Sequence, residues 1–138
     1  MERGFGVHSF QFRVRYQETD QMGVVYHANY FVWFEMGRAE LFRRSGFRYL
    51  DLEEAGFLTP VIKVNCNYLK PAFYDDLLSV ETQLDKLTPV RLEFSYQIKR
   101  ETTLLATGET VHAIIDNNGK PQNLKKKAPE LWSQLQQV

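Results

Sequence analysis

Asp20, His27 and Asn29 stand close together in Tyr16-Gln17-Glu18-Thr19-Asp20-Gln21-Met22-Gly23-Val24-Val25-Tyr26-His27-Ala28-Asn29, around a glycine suited to a tight turn. An apolar run with helical spacing begins directly afterwards. A helix start offers N–H groups without intrahelical acceptors and a partial positive charge. Aimed at a carbonyl, such donors polarise it and hold the oxyanion that develops in acyl transfer. A carboxylate on the same approach either deprotonates an attacking water or attacks the carbonyl itself to give a mixed anhydride. The arrangement therefore suits ester or thioester hydrolysis by either route. Local chemistry equally admits Asp20 as an Asx-turn or capping residue, His27 as a helix-start hydrogen-bonding residue and Asn29 as a helix cap.

Other reactive side chains are sparse. Glu35 falls inside Phe31-Val32-Trp33-Phe34-Glu35-Met36, where a carboxylate needs a partner or a raised pKa, and it reads as a buried hydrogen-bonding support. Cys66 alternates with Ile62, Val64 and Tyr68 and reads as an unreactive core thiol. His8, His27, His112 and Cys66 have no ligand-pair spacing, so no metal is expected. No nucleophile elbow, P-loop or dinucleotide-binding glycine motif is present. Lys125-Lys126-Lys127 reads as a solvated face, with phosphates of a CoA-like ligand as the alternative.

Elements with two different periods must position these groups. Phe10–Tyr16, Ile62–Tyr68, Leu78–Leu84 and Val90–Ile98 alternate apolar and polar residues, as strands with one wet face do. Leu104–Ile115 is apolar on both sides around Gly108, which suits a strand covered on both faces or a bulge. From Ala28 to Ser45 the period becomes helical, with a first half apolar almost all round, a Glu40/Arg44 pair and Gly46 as a stop. A short helix over Glu130–Gln136 follows Pro129. Turn residues separate the later strands in meander-like spacing. One antiparallel five-stranded sheet wrapped around one long buried helix is the economical solution, an α+β architecture spanning residues 1–138 as a single domain. An open sheet edge predicts pairing between copies.

Composition limits the function classes. The 138 residues carry 17 basic and 17 acidic side chains, so no global field draws in a polyanion and nucleic acid is not an expected partner. One cysteine and a polar Met1–His8 segment predict a cytoplasmic protein without a signal peptide, and no apolar run is long enough to insert stably in a membrane.

The run Tyr16-x-x-Thr19-Asp20-x-x-Gly23-Val24-Val25-Tyr26-His27-x-Asn29-Tyr30, then Phe34-Glu35, closely resembles the signature of YbgC-type acyl-CoA thioesterases. These form part of the 4-hydroxybenzoyl-CoA thioesterase branch of the hotdog superfamily. The resemblance continues through Tyr68-x-x-Pro71-Ala72-x-x-Asp75-Asp76-Leu77-Leu78 and covers nearly the whole chain. It implies a hotdog fold and hydrolysis of short- or medium-chain or aromatic acyl-CoA, without metal or organic cofactor. It also implies a homodimer or homotetramer with a continuous sheet and active sites at the subunit interface. The catalytic aspartate falls on Asp20, which turns the open local reading toward catalysis. The helix-start N–H falls on His27, whose side chain is assigned to positioning the thioester or water. Gly23, Val24, Tyr26 and Asn29 are the implied substrate-binding residues, with Tyr16 and Glu35 in support. The competing readings are an acyl-carrier-protein thioesterase and a non-catalytic acyl-CoA-binding module on the same fold; a hotdog dehydratase lacks its expected histidine-bearing helix signature here.

Overall fold

A computed structural model describes residues 6–138; Met1–Phe5, and with them most of the polar N-terminal segment, lie outside the described residues. In chain order the elements are β1 (Val7–Arg13), a 3-10 turn (Tyr16–Glu18), α1 (Asn29–Arg44), α2 (Tyr49–Glu54), β2 (Phe57–Leu58) and β3 (Val61–Tyr68). There follow β4 (Leu77–Thr88), β5 (Arg91–Arg100), β6 (Thr103–Ala113), β7 (Ile115–Asp116), α3 (Leu124–Lys127) and α4 (Pro129–Leu135). Five strands form one antiparallel sheet in the order β1-β4-β5-β6-β3, and β2 pairs with β7. The sheet wraps α1, which is the hotdog arrangement expected from the resemblance.

Alternation explains the sheet. Leu78, Val80 and Leu84 on β4 and Leu92, Phe94, Tyr96 and Ile98 on β5 are buried against the helix, while their odd-numbered neighbours face outward. From α1 the core receives Tyr30, Trp33, Phe34, Leu41 and Phe42. Complete burial of each such large side chain contributes roughly 1.5–3 kcal/mol, so the helix–sheet contact dominates the stability of the fold. The helix lies close because Gly37 faces β4: a Cβ there would overlap the Thr82 hydroxyl and stand 3.0 Å from Val80.

Several expectations change on contact with the structure. The strands are not a simple meander: β4, β5 and β6 follow one another, but β3 crosses over to the far edge beside β6. Gly108 marks no bulge, since its register with Tyr96 and Cys66 is continuous. Instead a Cβ there would overlap the Phe34 ring, which stacks on Tyr96 at 4.3 Å. One face of β6 is buried and the other only partly, so the strand is not covered equally on both sides. Glu40 pairs with Arg43, one residue nearer than Arg44. Gly46 does end α1, at a φ of 78°. Glu35 is exposed rather than buried, because α1 turns one stripe, including Val32, away from the sheet. Among the described residues the buried carboxylate is Glu18.

Candidate functional site

Beyond β1 the chain makes a miniature hairpin. Thr19 bridges Val25, Asp20 N–H donates to Val24 O over 2.8 Å, and Gly23 N–H donates to Asp20 O over 3.1 Å with Gly23 at φ 81°. A glycine closes this turn because the left-handed conformation costs it no Cβ clash. Inside the turn, Asp20 Oδ1 accepts the Met22 N–H at 2.8 Å. The Asx-turn reading is thus realised, and it does not compete with chemistry. One carboxylate oxygen anchors the side chain, and Asp20 still lines a cavity of about 330 Å³.

Three segments hold that hairpin. Glu18 is 4% exposed; its Oε1 accepts Arg15 N–H and its Oε2 accepts Trp33 Nε1–H, each at 2.8 Å. Its backbone carbonyl accepts Asn29 Nδ2 and Tyr26 N–H at 2.8 and 2.9 Å. Asn29 is therefore not the helix cap; its amide stitches the helix start to the 3-10 turn, and the N-cap, Ala28, makes no side-chain bond. On the other side, Val25 N–H donates to Ala72 O and Val24 bridges Phe73. Asp76 steadies that loop by accepting Phe73 N–H at 2.9 Å and Arg100 at 2.8 Å, and Asp75 adopts φ 67° beside it.

The helix start supplies donors. Among the described residues, the N–H groups of His27 and Ala28 have no acceptor. Tyr26 O is taken by Asn29 N–H at 3.0 Å, and His27 O by Tyr30 N–H at 3.3 Å and the Tyr68 hydroxyl at 2.8 Å. The exposed His27 ring packs against Tyr26 at 4.4 Å and edge-on to Tyr68 at 6.3 Å. Burial raises the ionisation of Tyr68 and Tyr30 above the usual phenol range, with the nearby Cys66 thiol acting in the same direction. Burial also pushes the Cys66 thiol up, consistent with an unreactive, half-buried group.

Of the residues singled out in the sequence, Asp20, Val24 and His27 come together on the cavity wall. Gly23 shapes the turn, Tyr26 covers the His27 ring, and Asn29 braces the loop. Tyr16 is 75% exposed and packs edge-on against Tyr74, away from the cavity. Glu35 lines a different cavity, of about 470 Å³, with Arg38, Tyr49, Thr59 and His112. Lys125, Lys126 and Lys127 are exposed on α3 and line neither space. Tyr68, Leu69 and Lys70 also line the Asp20 cavity; the tyrosine stood in the sequence as one step of an alternating strand and as the first residue of the second run that carries the resemblance, with no role given to its hydroxyl. Among the described residues no group of three His, Cys, Asp or Glu side chains is placed to hold a metal ion.

Comparisons with known proteins bear on the fold and the activity. A family model described as the thioesterase superfamily (4HBT) matches residues 22–107. The acyl-CoA thioesterase YbgC of Haemophilus influenzae is 36% identical over 117 residues, covering 84% of each chain. The acyl-CoA thioester hydrolase YbgC of Escherichia coli is 33% identical over the same length, again covering 84% of each. The crystal structure of a DHNA-CoA thioesterase from Staphylococcus aureus superposes with a TM-score of 0.86 at 36% identity, covering 94% of this chain and 91% of that one.

Proposed function

We propose that Asp20 carries the hydrolysis, on the premise that the chain belongs to the 4HBT thioesterase superfamily and is an acyl-CoA thioesterase. The observation that supports this reading is the pairing of Asp20 with unbonded N–H groups at the start of α1 around one cavity. The thioester carbonyl lies against the His27 and Ala28 N–H groups, which strengthen their hold as negative charge develops on oxygen. In the general-base route Asp20 takes a proton from water as the water oxygen bonds to the carbonyl carbon. The tetrahedral intermediate then collapses, the C–S bond breaks, and the CoA sulfur leaves as the thiol with the proton that Asp20 returns. In the nucleophilic route an Asp20 oxygen bonds to the carbon, CoA leaves, and water cleaves the anhydride. Single turnover in ¹⁸O-water tests the anhydride route: label reaching the Asp20 carboxylate marks it, because water opening the anhydride at the aspartyl carbon leaves its oxygen there, whereas label in the released acid arises by either route. Val24, with Gly23, Tyr26 and Asn29 shaping or bracing the wall, and the His27 ring orient the acyl thioester.

The assembly belongs to the same proposal, with residues 1–138 acting as one domain and the cytoplasm as its place. β3 is an edge strand, and Val61, Ile62 and Val64 on it are 43–50% exposed. Antiparallel pairing of β3 with its copy, within a dimer or a tetramer built from dimers, covers these residues and removes the edge. It brings the beginning of β3, beside the cavity lined by Glu35 and Arg38, to the end of the second copy's β3, beside an Asp20 cavity. Glu35 then supports the neighbouring site rather than its own. Sedimentation at micromolar concentration tests this: a monomer contradicts it. A panel of short, medium and aromatic acyl-CoA thioesters, followed by thiol release, identifies the acyl class.

A further inference from the structure

Tyr68 closes β3 and lines the same cavity as Asp20, and its hydroxyl donates to the carbonyl of His27 at 2.8 Å. That carbonyl also receives Tyr30 N–H, over a longer 3.3 Å. The phenol is therefore the nearer of two donors that set the plane of the His27–Ala28 peptide. The same peptide carries the N–H of Ala28, one of two groups at the helix start with no acceptor among the described residues. In a trans peptide the carbonyl and the N–H point in opposite directions, so fixing one aims the other. A hydrogen bond accepted by the carbonyl also polarises the whole unit and makes its N–H a stronger donor. The Tyr68 ring is itself held, edge-on to Tyr30 at 4.9 Å and to His27 at 6.3 Å. The phenol ionises above its ordinary range near 10, so the donor persists through neutral and mildly alkaline pH.

We infer that Tyr68 is a positioning residue for thioester polarisation, aiming and strengthening the Ala28 N–H through the His27 carbonyl without touching the reacting atoms. This rests on the reading of the helix start as the oxyanion site. It does not depend on Asp20, because the polarised carbonyl is present whether or not water attacks it.

Tyr68→Phe removes the hydroxyl and keeps the ring. Its expected effect is a fall of about tenfold in kcat, the size of one lost donor's indirect contribution, with KM within about twofold of the parent. A residue that only lines the binding cavity would raise KM and leave kcat unchanged, and that pattern overturns the inference. The second readout is the infrared stretch of an acyl-CoA thioester carbonyl, isotopically labelled and bound to full-length protein carrying Asp20→Asn. Adding Tyr68→Phe moves the stretch to higher frequency, toward its value in water. Replacing Tyr68 by 3-fluorotyrosine, a stronger donor of nearly the same shape, moves it lower. The same frequency in all three proteins overturns the inference, while activity surviving Asp20→Asn refutes the role of Asp20 alone.

Discussion

The indole Nε1–H of Trp33 donates to Oε2 of Glu18 over 2.8 Å, joining the second turn of α1 to the 3-10 turn ahead of the Asp20 hairpin. The other oxygen of that carboxylate accepts Arg15 N–H at 2.8 Å, with the Arg15 guanidinium 3.6 Å away. A single buried acid thus fastens the loop that presents Asp20 to the helix that presents the N–H donors. Glu18→Ala strands the Trp33 and Arg15 donors, and the expected loss is about 2–4 kcal/mol. Urea denaturation followed by tryptophan fluorescence measures it. A midpoint equal to the parent's would show that Glu18 fastens nothing.

Gly108 sets the depth at which α1 sits in the sheet. A Cβ there overlaps the Phe34 ring and lies 2.9 Å from Asn65 O, a backbone atom that cannot swing away. Gly108→Ala is therefore expected to destabilise by about 2–3 kcal/mol through overpacking. Calorimetry checks this, and an unchanged melting temperature would mean the ring has room to move.

Stability should fall as pH drops from about 6.5 to about 4. His112 is 2% exposed, and burial together with the positive charge of Arg38 lowers its pKa to about 4, against the opposing pull of its bond to the Thr59 carbonyl. As a neutral ring it bonds Thr59 O at 3.0 Å and Thr110 Oγ1 at 2.9 Å; Thr110 also meets Tyr96, which receives Arg38. The folded pKa is depressed below the unfolded one, so within this window the unfolded chain binds the proton and the folded chain does not. The contribution is complete above about pH 6.5 and is lost on acidification, at roughly 2 kcal/mol after allowance for screening. Urea midpoints at pH 7 and 4.5, for the parent and for His112→Gln, isolate it. An equal pH dependence in both proteins would contradict the assignment.

His27→Ala should cost activity modestly, within about tenfold, because the backbone N–H survives the substitution and the ring contributes only positioning. The check is kcat and KM for one acyl-CoA substrate. Complete loss in a folded, normally assembled protein would make the imidazole essential.

The pattern of side chains revealed much of this molecule, unevenly. Alternation in β4 and β5 and the helical run through Tyr30, Trp33 and Phe34 reported burial directly, because one face of each element meets the core. The order of strands was not legible: β3 alternates like its neighbours, but nothing in its residues says that it pairs with β6 instead of β4. Asp20 stood out through its place between a strand and an apolar helix. Glu18 did not, since an acid in a polar stretch looks solvated until Trp33 is brought to it. Glu35 misled for the converse reason. Apolar neighbours in sequence point to different sides of a helix, and its own stripe faces away from the sheet. The role of the Tyr68 hydroxyl was hidden because a hydrogen bond to a backbone carbonyl leaves no pattern in side-chain types.

The most direct test of the account is thiol release from acyl-CoA by Asp20→Asn, run beside the parent at equal protein concentration. The substitution keeps the shape of the side chain and an oxygen able to accept the Met22 N–H, so the hairpin and the fold survive. The expected result is a fall in kcat of at least about 100-fold, with acyl-CoA affinity, melting temperature and sedimentation unchanged. Parent-like turnover by the well-folded variant would contradict the account and remove Asp20 from the reaction.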